Sequence, residues 1–223
     1  MSEQLRLYSY WRSSAAYRVR IGLNLKGLRY ETAPVHLVRD GGEQHSPQFR
    51  ETSPQGLVPV LQHGNRMIRQ SMAILEYLDE TWPDAPLLPT VSRDRARVRA
   101  LAQIVGCDIH PLNNLRVLQY FENTWGVPQA ERDEWVRHWI DQGFAPLEEM
   151  LAGHVSTGEF CEGDVPTIAD CCLVPQVYNA RRFGLDLTRY PTIARIEAAC
   201  LALPAFDAAR PERQPDCPQA AAS

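Results

Sequence analysis

The stretch Tyr10-Trp11-Arg12-Ser13-Ser14-Ala15-Ala16-Tyr17-Arg18-Val19-Arg20 runs from an apolar strand pattern into the first turn of a helix. A helix start leaves backbone N–H groups without partners and carries partial positive charge. Ser13 and Ser14 fall at that start, so two hydroxyls and the terminus together make a seat for an anion, a thiolate included. Taken alone, a serine there is an ordinary N-cap. The organisation around it carries the argument further.

Upstream, Leu5 to Tyr10 reads as a strand, and downstream Ala16, Val19 and Leu23 form a helical stripe that Gly27 stops. Tyr30 to Leu37 alternates as a second strand, which completes a βαβ unit with an expected right-handed crossover. Asp40 to Gln55 is a polar, Gly- and Pro-containing loop with room for one short helix. Val58 to Leu61 and Met67 to Ile68 flank the turn signal His63-Gly64-Asn65 and predict a hairpin. Ser71 is expected to cap a helix carrying Ile74, Leu75 and Leu78 that Pro83 ends. βαβ followed by ββα is the order of a thioredoxin-like α/β domain.

Past Ser92 the strand signals fade. Val98, Leu101 and Val105, then Trp135, Trp139 and Ile140, then the run after the capping box Thr167-Ile168-Ala169-Asp170 all read as helices. The expected division is an α/β domain over 1–84, a Pro-rich linker over 85–91 and an all-α domain over 92–223, with Gln214 to Ser223 as a frayed tail.

A net charge of −4 and the lack of a basic stripe argue against nucleic acid as a partner. No apolar run reaches membrane-span length and no signal-peptide pattern opens the chain, which therefore reads as cytoplasmic. The six cysteines show no Cys-x-x-Cys pair and read as reduced thiols. Cys171 and Cys172 are expected in the core and Cys217, in the polar tail, is expected to be the most reactive. The six histidines lack ligand spacing, so no metal site is expected.

Seven motifs in order now carry a resemblance: Arg12-Ser13-Ser14 with Arg18-Val19-Arg20-Ile21, Asp40-Gly41-Gly42-Glu43-Gln44, Val58-Pro59, Gln70-Ser71, Asn114-Leu115, Leu173-Val174-Pro175-Gln176-Val177 and Gln214-Pro215-Asp216. Over essentially its whole length the chain resembles the zeta-class glutathione transferases, the family of maleylacetoacetate isomerases. The resemblance implies the glutathione transferase fold, glutathione as cofactor and a two-fold homodimer. It also implies cis–trans isomerisation of a small maleyl diacid, in which a thiolate adds to the double bond, the resulting single bond rotates, and elimination follows.

Pro59 interrupts a strand pattern, which an edge strand tolerates. In the family it resembles, this proline is cis and presents the backbone of Val58 to the cysteine of glutathione. By the same analogy Gln70 and Ser71 hold the γ-glutamyl end, Gln44 the glycyl end, and Ser13 or Ser14 stabilises the sulfur. Arginine suits the substrate carboxylates, and Arg12, Arg116 and Arg182 are the candidates, with Arg181 expected to be exposed. Lys26 is the only lysine, so arginine is this chain's default cation and position alone singles these three out.

Two departures stand out. Ala15 occupies a place where the family commonly has cysteine, which bears on side activities toward halogenated acids and little on isomerisation. The segment Cys107-Asp108-Ile109-His110-Pro111-Leu112-Asn113-Asn114, with Arg116 beyond, is closer to the bacterial maleylpyruvate isomerases. It makes His110 and Asn114 candidate glutathione contacts, although a lone histidine is as often a structural hydrogen-bonder. Maleylacetoacetate leads as substrate, maleylpyruvate follows, and a conjugating transferase or a non-catalytic glutathione binder are the remaining alternatives.

Overall fold

A computed structural model describes residues 4–218. The first unit is built on a four-stranded sheet in the order β2-β1-β3-β4: β1 (Leu5–Ser9), β2 (Tyr30–Pro34), β3 (Val60–His63) and β4 (Arg66–Arg69). β1 pairs parallel to β2 and antiparallel to β3, as a βαβ unit followed by a hairpin requires. Period-two alternation sorts the side chains of β1. Leu5 and Leu7 join Val19 and Leu23 of α1 (Ser14–Leu25) and Ile74 and Leu78 of α3 (Ser71–Thr81) on one face. Tyr10 joins Val35, Val58, Val60 and Phe49 of α2 (Pro47–Thr52) in a second cluster. Leu7, Val19, Leu23, Leu61, Ile74 and Leu78 are wholly inaccessible. Each such side chain contributes about 1.5–3 kcal/mol.

The strand and helix limits differ from the sequence expectation for local reasons. β2 stops at Pro34 rather than Leu37, because the chain turns away where His36 and Glu43 exchange hydrogen bonds. β3 starts at Val60, after Pro59, which has no N–H to give a ladder. The cap of α3 is Gln70 and not Ser71, which is the first helical residue. The helix ends at Thr81, since the residue before Pro83 is disfavoured in helical conformation.

The expected tail is the largest correction. Residues 214–218 are ordered against the first unit: Gln214 and Cys217 are buried, and Asp216 accepts the Trp11 N–H at 2.9 Å. Residues 219–223 lie outside the described residues. The first compact unit thus takes in the chain up to Leu87 and again from Leu201, including α9 (Pro204–Ala209), while the second runs over Leu88–Cys200.

The second unit is helical: α4 (Ser92–Gln103), α5 (Leu115–Trp125), α6 (Gln129–Ala152), α7 (Ile168–Arg182) and α8 (Pro191–Leu201). α4 continues into a π-helical stretch, Ile104–Ile109, whose extra residue per turn swings Ile109 onto α6. There Gly143 is required, because a Cβ at that position would collide with the Ile109 side chain. The capping box forms as its residues suggest, with Asp170 Oδ2 accepting the Thr167 N–H at 2.7 Å and the Thr167 hydroxyl at 2.9 Å. Among the described residues no helix is long and apolar enough to cross a membrane.

Candidate active site

Val60 pairs with Tyr8 of β1 on one side and Arg69 of β4 on the other. The segments that leave the sheet at this edge are therefore neighbours: Tyr10 to Ser14 after β1, Val58-Pro59 before β3, and Gln70-Ser71 after β4. Sheet register, not sequence proximity, collects these candidates.

Ser13 is the N-cap of α1, and its Oγ accepts the Ala16 N–H at 3.2 Å. That bond uses a lone pair and leaves the hydroxyl proton for a second partner. Ser14 is the first residue of the helix. The Val58-Pro59 peptide is cis, in agreement with the resemblance, and Val58 lies outside the ladder that begins at Val60.

Gln70 adopts φ 70° and ψ 118° at the start of α3. A non-glycine residue held there costs on the order of 1–3 kcal/mol and marks a place where position matters more than ease. Its Nε2 donates to Gln55 Oε1 at 2.8 Å, and no side chain caps the helix. The first turn of α3 so keeps its anion-attracting character. Ser71 is buried, and its Oγ accepts from Arg18 Nη1 at 3.2 Å.

Gln44 comes to the same region from the loop after β2. Gly56, at φ 64°, lies so close that a Cβ would stand 2.9 Å from the Gln44 carbonyl, and only glycine accommodates both demands. The Gln44 side chain is buried. Its Nε2 donates to the Leu37 carbonyl at 3.1 Å, and its Oε1 is buried without a partner among the described residues. Arg12 is exposed, with its guanidinium carbon 5.4 Å from the Trp11 ring centre.

The helical unit carries the other candidates. The His110 N–H closes the π-helical stretch on the Val105 carbonyl at 2.9 Å. Asn114 caps α5 by accepting the Arg116 N–H at 3.1 Å, which places Arg116 in the first turn of that helix. Arg116 is exposed. Arg182 ends α7, exposed, with its guanidinium 4.5 Å from the Phe183 ring centre. Arg181 is exposed as expected, yet it is engaged by Glu197, which raises its pKa through the hydrogen bond between them. His110, Asn114 and Arg116 share one turn of chain, and Arg182 stands on a different helix.

Three residues stand in the quoted motifs without a role in the sequence reading. Arg18 sits in a buried stretch of α1 where a stripe analysis looks only for apolar residues. Asn113 and Gln176 are buried with amides that meet no partner among the described residues. Such groups cost about 1–3 kcal/mol each unless something polar meets them.

The glutathione S-transferase N-terminal domain model matches residues 3–80. The probable maleylacetoacetate isomerase of Vibrio cholerae is 55% identical over 94% of this chain and 97% of its own. The holo structure of a maleyl pyruvate isomerase, a bacterial glutathione S-transferase of the zeta class, superposes on this chain with a TM-score of 0.92, and the two are 49% identical over 95% of this chain and 99% of that one. The chain belongs to the zeta-class glutathione transferases. The maleylacetoacetate isomerase of Anaeromyxobacter dehalogenans is 48% identical, with a TM-score of 0.85, covering 97% of this transferase and 99% of that chain. It was solved with dicarboxyethyl glutathione and citrate in its active site.

The thiols of this transferase also need one correction. Cys217, expected to be the reactive one, is buried together with Cys161, Cys171, Cys172 and Cys200, and Cys107 is the exposed one. Burial pushes the Cys161 and Cys171 thiols well above their ordinary value, which keeps them inert.

Proposed function

We propose that the chain is a glutathione-dependent cis–trans isomerase that converts maleylacetoacetate to fumarylacetoacetate, with maleylpyruvate as the alternative substrate. The observation that carries the reading is the convergence, at the Val60 edge of the sheet, of Ser13, the Val58 backbone and the uncapped start of α3. Near full-length similarity to isomerases of both substrates supports it.

The donors at this edge fit glutathione in kind. Gln70, Ser71 and the first turn of α3 suit the γ-glutamyl carboxylate. Val58, free of the ladder, suits the cysteinyl peptide groups, and the unsatisfied Oε1 of Gln44 suits an N–H near the glycyl end. When bound there, glutathione supplies a thiolate nucleophile that adds reversibly to the cis double bond. Ser13 donates its hydroxyl proton toward the sulfur, and acceptance of the Ala16 N–H polarises that hydroxyl for the task. The N-terminus of α1 adds its partial positive charge, so the two together favour the charged form of the sulfur at neutral pH. Arg12, Arg116 and Arg182 hold the carboxylates and offset the negative charge that addition moves onto the keto group. Neither serine forms a bond to carbon. His110 and Asn114 complete the glutathione contacts, and the enzyme works as a cytoplasmic homodimer.

The test follows the ultraviolet absorbance of maleylacetoacetate and of maleylpyruvate with and without glutathione, together with the glutathione concentration. Turnover that requires glutathione and does not consume it is the expected result. Binding of glutathione with turnover of neither diacid would replace isomerisation with conjugation or simple binding.

A further inference from the structure

The Trp11 peptide, two residues ahead of Ser13, is gripped on both sides. Its N–H donates to Asp216 Oδ2 at 2.9 Å, and its carbonyl accepts from Arg20 Nη2 at 3.0 Å. Arg20 also donates to Ser9 Oγ at 3.2 Å, to the Tyr10 carbonyl at 3.4 Å and, through Nε, to the Ala209 carbonyl at 2.9 Å. The Tyr10 carbonyl in turn accepts the Ser13 N–H at 2.9 Å, closing a turn over 10–13. That turn uses neither polar group of the Trp11 peptide, so Arg20 and Asp216 supply what the turn leaves unfixed.

Both groups are held at a cost. Arg20 is wholly inaccessible and burial lowers its pKa to about 10, while the second oxygen of Asp216 is buried without a partner among the described residues. An unsatisfied carboxylate oxygen is destabilising, so stability alone does not account for this arrangement. Gln214 sets the approach of Asp216 by donating to the Ala208 and Arg210 carbonyls at 3.0 and 2.8 Å.

We infer that Asp216 is a positioning residue for the reaction centre: by accepting the Trp11 N–H opposite Arg20, it fixes where the Ser13 hydroxyl and the start of α1 meet the ligand sulfur. The inference rests on the reading of Ser13 as sulfur donor. Displacement of a reacting group by about 1 Å can cost about a hundredfold in rate.

The experiment titrates the thiol of bound glutathione by its thiolate absorbance in wild type, Asp216→Ala and Asp216→Asn, with kcat, KM and Tm alongside. In wild type the bound thiol is expected below the free-thiol value of about 8.5. Asp216→Ala is expected to move it back toward that value and to lower kcat about tenfold or more with KM for glutathione little changed. Asp216→Asn keeps an acceptor oxygen at the same reach and is expected to restore both. A purely structural role would lower Tm and leave the bound thiol where it was. An alanine variant with the wild-type thiol pKa, or an asparagine variant that fails to restore it, overturns the inference and leaves the functional reading intact. A wild-type thiol with no lowered pKa overturns both. Should the alanine variant not fold, hydrogen exchange of the wild-type Trp11 amide decides: protection matching the β1 amides supports the latch, and rapid exchange overturns it.

Discussion

Arg18 Nη1 donates to Ser71 Oγ across 3.2 Å in the protein interior, which ties the helix that begins after Ser13 to the helix that begins after Gln70. The serine oxygen that accepts from a cation keeps its own proton for an outside acceptor, so Arg18 orients Ser71 toward an anion. A hydrogen bond to a charged group is worth about 1.5–3 kcal/mol. Arg18→Met is therefore expected to raise KM for glutathione about tenfold or more, with a smaller change in kcat. Ser71→Ala should do the same. Calorimetric titration of glutathione into both variants checks this, and unchanged affinity in both would remove Ser71 from the binding site.

The two adjacent serines should separate cleanly. Ser13 caps α1, so Ser13→Ala loses about 1 kcal/mol of cap as well as the hydroxyl proton proposed to face the sulfur. It is expected to lower Tm and to reduce kcat/KM about a hundredfold. Ser14→Ala removes no cap and is expected to cost less in both. Thermal melts and steady-state rates on the two variants decide, and a reversed order would transfer the donor role to Ser14.

How much of this was legible in the sequence depends on the range of the interaction. The succession of strands and helices in the first 84 residues and the α1 start follow from period-two and period-3.6 patterns within a few residues, and structure and pattern agree there. The cap of α3 was misplaced by one residue because serine is the commoner cap, whereas the φ of 70° at Gln70 has no local signature. The π-helical turn at Ile104–Ile109 is invisible to a 3.6-residue stripe, and Ile109 at its end packs against Gly143, 34 positions away. The Trp11–Asp216 bond spans 205 residues, which is why a short polar stretch read as frayed. The cis peptide at Pro59 was anticipated from resemblance and not from the residues around it.

Thiol chemistry should be confined to one position. Cys107 is exposed, and the other five cysteines are buried. A thiol-reactive chromogen is expected to modify one thiol per native chain and six after denaturation. Cys107→Ser should abolish the native reaction. Rapid native labelling that survives this change would mean that Cys217 or another buried thiol opens readily.

Asp170 should give the stability a distinctive pH dependence. Burial raises its pKa above the usual value, and the Thr167 and Cys161 N–H donors only partly oppose that shift. The folded state therefore holds a proton that the unfolded chain has already released. Stability from this group is fully present below the unfolded value and is lost as pH rises through the raised folded value. Asp170→Asn does not titrate and points an N–H₂ group at donors, so it should be destabilised throughout. The gap between wild type and the variant is expected to be wider at pH 4 than at pH 8 in thermal melts. A gap that widens with pH would mean the folded-state pKa is depressed instead.

Arg181 and Arg182 are adjacent, both exposed, and predicted to behave oppositely. Arg181 is bonded to Glu197, whose side chain is buried, so Arg181→Ala strands a carboxylate. The expected loss is about 1–2 kcal/mol of stability, moderated by solvent around the arginine, with the kinetics little changed. Arg182, beside the Phe183 ring, is one of the cations proposed for a substrate carboxylate. Arg182→Ala should raise KM for the maleyl diacid about tenfold with glutathione affinity unchanged, and Arg116→Ala should follow it. Lysine at either position restores charge without the planar two-point fork and should recover only part of the loss. Equal kinetic effects from Arg181→Ala and Arg182→Ala would show that general positive charge, not a placed guanidinium, serves the diacid.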